Sequence, residues 1–259
     1  MTPRQLAHRA RALLRSSADP RVARSQKRFF KPWEKISLYG LKTPDVKRVE
    51  RELYQSVRKS WTYAEALAFC DLLMRDAHLE SEAVGLLLLE RYHQQFEKGL
   101  LETVRGWLEA GLCDNWAATD DLATGVLWRL LERFDDSAGD FEAWHASPNL
   151  WLRRAGVVVF VKSAGKGKHL DRAYRVVTAL LPDTHDLIHK ACGWLLREAG
   201  KADAARLEKF LLKHGPAIPR TTVRYAIERF PEAQRRRILE CTRLKNGDRQ
   251  PHPRANEAG

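Results

Sequence analysis

Small residues recur along the middle of this sequence at the length of one helical hairpin, and this recurrence constrains the fold most. A glycine inside a helix costs about 1 kcal/mol relative to alanine, so its repeated use indicates a packing requirement. Successive alanines in the set lie 40, 32 and 36 residues apart, and each pair precedes an apolar run. The pairs are Ala83 with Gly85, Ala123 with Gly125, Ala155 with Gly156, and Ala191 with Gly193. This spacing predicts helix pairs that stack closely on one another.

The remaining pattern is also helical. No stretch shows the alternation of β-branched and polar residues that is typical of a strand. Helices are predicted over Pro3–Ser17, over the basic and aromatic stretch Arg21–Tyr39, and from Asp114 or Asn115 to Phe134. Thr62 and Glu65 form a capping box at the start of another helix. We therefore predict an all-α fold, an α-solenoid of HEAT-like repeats that is C-shaped with a concave basic groove.

The predicted domain organisation is simple. Residues 1–243 are expected to form a single HEAT-like-repeat domain, and residues 244–259, rich in polar and breaker residues, a disordered tail. No apolar run reaches the roughly 18 residues that a transmembrane helix needs. Met1–Ser17 is Arg-rich, and we interpret it as a first helix rather than a targeting segment. A cytoplasmic, bacterial-type protein acting as a monomer is expected.

The positive charge is segregated at the two ends of the chain. The net charge of +12 divides into +11 for residues 1–60, −11 for residues 61–150 and +12 for residues 151–259. Segregated positive charge is typical of proteins that bind polyanions such as nucleic acids. Binding would then require the acidic middle segment to place its carboxylates on the outer, convex surface. The candidates are Glu80, Glu82, Glu90, Glu97 and Glu102.

Metal and nucleotide sites are not indicated. The four cysteines stand far apart, with no CxxC pair, which is typical of buried free thiols. His185 and His189 lie four residues apart, but no third ligand follows at a fixed spacing. The loop from Gly165 to Lys168 lacks the spacing of a phosphate-binding P-loop. We predict neither a metal nor another cofactor.

Four side chains could form one wall of the predicted solenoid. Trp116 lies 38 residues before Arg154, which lies 40 residues before Trp194, and Asp120 follows Trp116 by one helical turn. Taken singly, each has an ordinary alternative: a core tryptophan, an aspartate in a first helical turn, or a surface arginine. Asp121 competes with Asp120 but faces about 100° away around the helix. Together, two indoles, a carboxylate and a guanidinium suit a cationic, nucleic-acid-like ligand.

Four segments, in order, resemble one family. They begin at Gly40 (GLKTP), Asp114 (DNWAATD), Asn149 (NLWLRRA) and Lys190 (KACGWLLRE). The chain resembles the AlkD-type alkylpurine DNA glycosylases, a family of HEAT-like-repeat DNA repair enzymes, over roughly residues 25 to 240. The resemblance implies a solenoid that holds duplex DNA and hydrolyses the N-glycosidic bond of cationic N3- or N7-alkylated purines. Ala117 and Lys42 depart from the family pattern, which leaves the preferred substrate open.

The resemblance also assigns roles to residues. It implies Asp120 as the catalytic aspartate, flanked by Trp116 and Trp194, and Arg154 as a contact to the DNA backbone. Lys162 matches a further basic residue of the groove, and Arg153 replaces Arg154 if the register shifts by one. Other candidates for DNA contact, from the basic ends, are Lys27, Arg28, Lys31, Lys42, Lys166, Lys168 and Arg220.

No lysine lies near Asp120 in sequence, so we predict a monofunctional glycosylase that leaves an abasic site. Two other functions stay open at this point. One is a non-catalytic HEAT-repeat protein that recognises damaged or branched DNA, as relatives lacking the aspartate and the tryptophans would do. The other is a protein–protein adaptor, a common use of α-solenoids.

Overall fold

The computed structural model describes residues 1–32, 34, 36–76 and 78–243, and this part of the chain is helical. The only β pairing among these residues is an isolated bridge between Ser37 and His78. In chain order, the helices are α1 (Pro3–Ser16), α2 (Pro20–Lys27), α3 (Thr43–Val57), α4 (Tyr63–Met74), α5 (Leu79–Glu90), α6 (Leu100–Glu109), α7 (Trp116–Leu122), α8 (Trp128–Arg133), α9 (Ala138–Ala143), α10 (Leu150–Val158), α11 (Val161–Gly165), α12 (Leu170–Ala179), α13 (Asp186–Ala202), α14 (Ala204–His214), α15 (Arg220–Ala226) and α16 (Glu232–Cys241). The predicted all-α helical-repeat fold is confirmed.

Two layers of helices can be followed along the chain. The helices α3, α5, α7, α10, α13 and α15 pack against one another in succession, and we call them the site layer. Behind them, α1 and α4 pack on α3 and α5, while α12 and α14 pack on α13. A continuous cluster of buried apolar side chains extends from Leu6 on α1 to Ile238 on α16. Each helix thus buries one face against its neighbours in the manner expected of a helical repeat.

The small residues of the repeat allow these close approaches. A Cβ atom added at Gly193 on α13 would lie 2.4 Å from the Cβ of Tyr225 and 2.8 Å from the carbonyl oxygen of Thr222, both on α15. A Cβ atom at Gly156 on α10 would lie 2.8 Å from the carbonyl oxygen of Phe141. Neither position has room for a side chain, so the predicted packing reason is confirmed at both glycines.

The predicted helix from Arg21 to Tyr39 is wrong in its second half. The helix α2 ends at Lys27, and the described residues between it and Lys42 follow an irregular path. The carboxyl group of Glu80 on α5 explains this path, because it accepts hydrogen bonds from the backbone amides of Tyr39, Gly40 and Leu41 at 2.8–3.1 Å. These amides cannot serve a helix at the same time, and Gly40 adopts a φ of 89° that suits glycine.

Predicted helix starts are confirmed by their caps. Thr62 and Glu65 form the expected capping box at the start of α4, and Asn115 caps α7. The helix predicted to continue to Phe134 is interrupted by a π-helical segment, Ala123–Leu127, between α7 and α8. No helix in the described part of the chain could cross a membrane. The tail predicted for residues 244–259 lies outside the described residues.

Candidate active site

Three helices of the site layer bring the four predicted side chains to one pocket. Trp116 and Asp120 come from α7, Arg154 from α10 and Trp194 from α13, and all four line a cavity of about 340 Å³. Residues 78 positions apart in sequence therefore meet, as the hairpin spacing predicted. We call this cavity the Asp120 pocket.

The start of α7 is fixed by two local hydrogen bonds. The side-chain oxygen of Asn115 accepts from the backbone amide of Ala118 at 2.9 Å, and the hydroxyl group of Thr119 donates to the carbonyl oxygen of Cys113 at 3.1 Å. Asp120 therefore lies one turn beyond a rigid helix start. The π-helical segment begins directly after α7, and such segments are frequent at functional sites because they change the direction of the side chains around them.

Asp120 and Arg154 form a bidentate ion pair. Arg154 donates from Nε to Oδ1 of Asp120 at 2.8 Å and from Nη2 to Oδ2 at 2.7 Å, while its Nη1 donates to the backbone carbonyl of Leu187 on α13. The arginine side chain is 6% exposed and the aspartate side chain 16% exposed. Three helices are thus linked through one guanidinium, and both members of the pair line the pocket, with the carboxylate the more exposed of the two.

The surroundings of Asp120 act on its affinity for a proton in opposite directions. Burial in the pocket wall raises the pKa of Asp120 above its ordinary value, although the charge and the hydrogen bonds of Arg154 lower it. The carboxylate is therefore a stronger base than a surface aspartate. The ion pair fixes its orientation at the same time.

Arg154 is thus placed differently from the sequence expectation. The resemblance implied a contact between Arg154 and the DNA backbone, but the guanidinium is buried and bonded to Asp120 and Leu187. We therefore assign it to holding the carboxylate. The neighbouring Arg153 also has internal partners: Asp183 at 2.8 Å and two backbone carbonyls at 2.9 Å. These contacts occupy its guanidinium, so a contact between Arg153 and DNA would require it to leave them and stays a prediction.

Aromatic side chains surround the carboxylate. The ring of Phe30 stacks on Trp116, with centroids 5.2 Å apart and an angle of 24° between the planes. Trp194 is partly buried and packs against the core. Phe29, which is 75% exposed, and Tyr225 complete the aromatic part of the wall. Sequence reasoning missed the roles of Phe30 and Tyr225, since neither stands at a fixed spacing from Trp116.

Basic side chains line the same pocket. Lys31, Lys190 and Arg197 border it together with Glu34. Lys190 pairs with Asp186 at 2.8 Å, and Arg197 pairs with Glu228. Two lysines that are distant from Asp120 in sequence thus line the same pocket, so sequence distance alone does not exclude a lysine from the site. Sequence alone cannot show how the turns of α13 face α7.

The other predicted DNA contacts lie on the surface. Lys27, Lys42, Lys162, Lys166 and Lys168 are exposed. Two of them share one aromatic neighbour. The Nζ atoms of Lys162 and Lys166 lie 4.4 Å and 4.6 Å from the ring centre of Trp128 on α8.

A larger cavity of about 820 Å³ lies between α3, α5 and α8. Its charged lining includes Lys47, Arg51, Arg91 and Arg129 together with Glu50 and Glu90. The prediction that the middle carboxylates face outward is wrong for three of five residues. Glu90 lines this cavity, paired with Arg129 at 3.2 Å, and Glu80 and Glu82 are buried. Glu97 and Glu102 are exposed.

No metal site accompanies these residues. Within the described chain, no group of three or more His, Cys, Asp or Glu side chains is arranged to hold an ion. The Nδ1 atom of His185 instead accepts a hydrogen bond from the backbone amide of Leu187, at the start of α13. The charged groups in the described lining of the pocket are two carboxylates, Asp120 and Glu34, together with Arg154 and the basic side chains around it.

Comparison with known proteins places this chain in a family. The family model described as "DNA alkylation repair enzyme" matches residues 10–230. Among solved structures, a predicted DNA alkylation repair enzyme from Enterococcus faecalis superposes with a TM-score of 0.71 at 15% identity, covering 83% of this chain and 97% of that chain. No curated protein matches. The structural likeness shows the shared fold, and the family match covers most of the chain. This protein therefore belongs to the DNA alkylation repair enzyme family.

Proposed function

We propose that this protein is a monofunctional DNA glycosylase that hydrolyses the N-glycosidic bond of cationic N3- or N7-alkylated purines in duplex DNA. The observation that carries the proposal is the carboxylate of Asp120, which Arg154 holds at the edge of a pocket shared with Trp116 and Trp194. Membership of the family supports a role in DNA repair. The proposed reaction is hydrolytic and requires neither a metal nor another cofactor.

A positively charged base changes what the enzyme must supply. Alkylation at N3 or N7 leaves the purine with a positive charge, so the base departs without being protonated by an acid. Positive charge then develops on the deoxyribose as the bond between C1′ and N9 breaks. A carboxylate next to C1′ stabilises this charge electrostatically, which is often the largest single contribution to catalysis.

Asp120 is suited to this task and to activating water. Each of its oxygens accepts one hydrogen bond from Arg154 and keeps lone-pair capacity toward the pocket. Its raised pKa makes it a better acceptor for a proton from water that attacks C1′. The water oxygen forms the new bond to C1′, Asp120 takes the proton, and the electrons of the broken bond neutralise the purine.

The indole rings of Trp116 and Trp194 favour the same charges. An aromatic face attracts a nearby cation by about 0.5–2 kcal/mol, more strongly where water is excluded. Both rings line the Asp120 pocket, so both could face the developing cation. Their contribution would be to the sugar and the base together, before and during bond breakage.

Basic residues on the surface also support the proposal that the protein binds DNA. The proposed phosphate contacts are the exposed lysines at 27, 42, 162, 166 and 168 and the arginines of the 820 Å³ cavity. Of these, Lys166 pairs with Glu132, Arg91 with Glu50 and Arg129 with Glu90, so phosphate binding would compete with these ion pairs. Proteins that neutralise several phosphates lose affinity steeply as salt rises, with a slope near −0.9 per contact. We expect binding to duplex DNA to show this dependence.

The test is release of N7-methylguanine and N3-methyladenine from methylated duplex DNA. We expect wild type to release both, and Asp120→Asn to be slower by at least about 100-fold. Asp140→Asn makes the same chemical change at an exposed residue of α9 and should match wild type. Equal rates for wild type and Asp120→Asn would remove Asp120 from the mechanism.

Two further measurements separate the alternatives. Salt-sensitive binding to methylated DNA without base release would identify a non-catalytic damage-recognition protein. Because Lys31 and Lys190 line the pocket, strand scission must be measured directly. We expect an intact strand with an abasic site, and no protein–DNA adduct after borohydride reduction. A trapped adduct lost in Lys190→Arg would show that the enzyme also cleaves the strand.

A further inference from the structure

A cavity of about 710 Å³ lies behind the site layer, and we call it the outer pocket. Side chains of α9, α12 and α14 line it, together with the short 3-10 turn Trp144–Ala146. The helix α9 packs on α10, while α12 and α14 pack on α13. The described lining shares no residue with that of the Asp120 pocket or of the 820 Å³ cavity. The volume is typical of small-molecule sites, which measure about 300–1,000 Å³.

Three rings stand in a row on one side of the outer pocket. The ring centre of Phe210 on α14 lies 4.9 Å from that of Tyr174 on α12 and 4.5 Å from that of His214, one turn further along α14. Tyr174 is buried, but Phe210 and His214 are only partly buried. An aromatic surface that stays partly exposed inside a concave pocket favours a flat ligand, because a further ring can pack against it.

Positive charge lies next to these rings. Arg175, Arg206 and Lys213 line the pocket, and the Cζ atom of Arg206 lies 4.5 Å from the ring centre of Tyr174. Lys213 is exposed, and within the described part of the chain it has no ion-pair partner. Burial and the charge of Lys213 lower the pKa of His214, so this imidazole is neutral at pH 7. Lys213 is therefore available to an anionic ligand.

The two carboxylates of the described lining already have arginine partners. Glu142 accepts hydrogen bonds from Arg172 at 2.5 Å and from Arg175 at 2.7 Å. Asp171 accepts one from Arg206 at 2.6 Å. With the histidines counted as neutral, three cations and two carboxylates give this lining a net charge of +1. The outer pocket thus combines an aromatic surface with an excess of positive charge.

We propose that the outer pocket binds a nucleotide, with its base against Phe210 and His214 and its phosphate at Lys213. A nucleotide joins a flat ring to an anion, so one ligand can use both features of the lining. Bases of every kind can stack on an aromatic side chain, and a lysine binds phosphate as a compact charge. This proposal does not depend on the function proposed above, because the described linings of the outer pocket and the Asp120 pocket share no residue.

Simpler ligands would use only half of this lining. Inorganic phosphate has no ring to stack on Phe210, and a nucleoside has no charge to pair with Lys213. A glutamate-rich peptide likewise meets the positive charge but supplies no ring to the aromatic surface. We therefore expect GMP to bind at least about tenfold more tightly than guanosine, inorganic phosphate or such a peptide.

Isothermal titration calorimetry with these four probes tests the expectation. Phe210→Leu should weaken GMP binding by about tenfold, because a leucine side chain cannot stack on a base. Lys213→Gln should weaken it by about three- to tenfold, and this difference should shrink at high salt. Lys209→Gln removes an exposed lysine of the same helix that is not part of the described lining, and it should match wild type.

Histidine resonances test where GMP binds. In a ¹H–¹³C NMR spectrum, the ring signal of His214 is identified by its absence from His214→Gln. This signal should shift when GMP is added to wild type, because His214 lines the outer pocket. Undamaged duplex DNA should not displace GMP, since the site proposed for DNA lies on the site layer.

Several results would overturn the proposal. One is a GMP affinity that is unchanged in Phe210→Leu or in Lys213→Gln; the second variant replaces an exposed residue and leaves the core intact. Another is a wild-type protein that binds no GMP, or binds phosphate or the glutamate-rich peptide as tightly as GMP. Displacement of GMP by undamaged duplex would place the nucleotide in the DNA interface and would also contradict the proposal.

Discussion

Two bidentate ion pairs link neighbouring helices of the site layer, and they present opposite members to solvent. In the first, Arg91 after α5 binds Glu50 of α3 through two hydrogen bonds of 2.9 Å. In this pair the Glu50 side chain is 2% exposed and the Arg91 side chain is 44% exposed. In the second, Arg154 binds Asp120 with similar distances, but here the arginine is 6% exposed and the carboxylate 16% exposed.

Under the proposed function, this inversion would let one chemical motif serve two purposes. A buried carboxylate holds the exposed Arg91 in place, so the 820 Å³ cavity presents a fixed positive charge to a phosphate. A buried guanidinium holds Asp120 in place, so the Asp120 pocket presents a fixed negative charge to a sugar cation. In both cases the less exposed partner limits rotation of the more exposed one.

The largest expected effect follows from breaking the second pair. Arg154→Gln should slow base release by at least about 100-fold, because a carboxylate misplaced by about 1 Å loses most of its effect at C1′. The free energy of unfolding should fall by about 2 kcal/mol, below the ~3–5 kcal/mol of fully buried pairs because Asp120 still reaches solvent. Release rates at saturating DNA and chemical denaturation measure the two effects.

Arg153→Gln is the matched control, since Arg153 is adjacent and has its own ion pair with Asp183. It should lose stability but keep its rate per folded molecule. Comparable losses of rate in both variants would mean that the helix α10, and not the orientation of Asp120, sets the activity.

Sequence reasoning anticipated which residues meet but not how they pair. The hairpin spacing and the helix caps are local properties, so the helix containing Asp120 and the convergence of Trp116, Arg154 and Trp194 could be read from them. The pairing of Asp120 with Arg154 depends on the rotation of α7 and α10 about their axes. The spacing of residues along the sequence gives almost no information about this rotation. For the same reason Asp121 could be set aside as facing elsewhere, although it lines a pocket of its own.

The other wrong prediction was a helix over the described residues from Arg28 to Tyr39, and the error has a physical cause. The basic and aromatic residues there fit a helix by composition. The structure instead satisfies the amides of Tyr39, Gly40 and Leu41 with the carboxyl group of Glu80, some forty residues ahead. A tertiary hydrogen bond of this kind leaves no local signal, so the stack of Phe30 on Trp116 could not be predicted either.

A third carboxyl group shows what happens without an arginine. Glu82 is 7% exposed and its Oε2 has no hydrogen-bond partner. Burial, together with the charges of Asp114, Asp76, Asp121 and Glu80, raises the pKa of Glu82 from 4.5 to about 9. The folded protein therefore keeps a proton there that the unfolded chain releases. Stability from this group is complete below the unfolded pKa and is lost as pH rises toward 9.

Glu82→Gln should remove this dependence. The variant should be more stable than wild type by about 1 kcal/mol or more at about pH 8, and nearly equal to it at about pH 4. Urea denaturation across this range measures the difference. Glu102→Gln, at an exposed glutamate of α6, should give a curve parallel to that of wild type. If the free energy of unfolding of Glu82→Gln also followed that of wild type in parallel across this pH range, Glu82 would be ionised in the folded protein.

The smallest effect should come from the displayed arginine of the first pair. Arg91→Gln keeps a hydrogen-bond donor for Glu50 but removes the charge, so affinity for undamaged duplex should fall about three- to tenfold at low salt. The slope of log affinity against log salt should become shallower by about one, as expected for a single lost phosphate contact. Base release at saturating DNA should not change, because Arg91 does not line the Asp120 pocket.

Arg105→Gln removes an arginine from an exposed pair with Glu109 on α6 and should leave the slope unaltered. An unchanged slope in Arg91→Gln would mean that DNA does not contact Arg91 in the 820 Å³ cavity. The two ion pairs would then share their geometry but not a role in binding DNA.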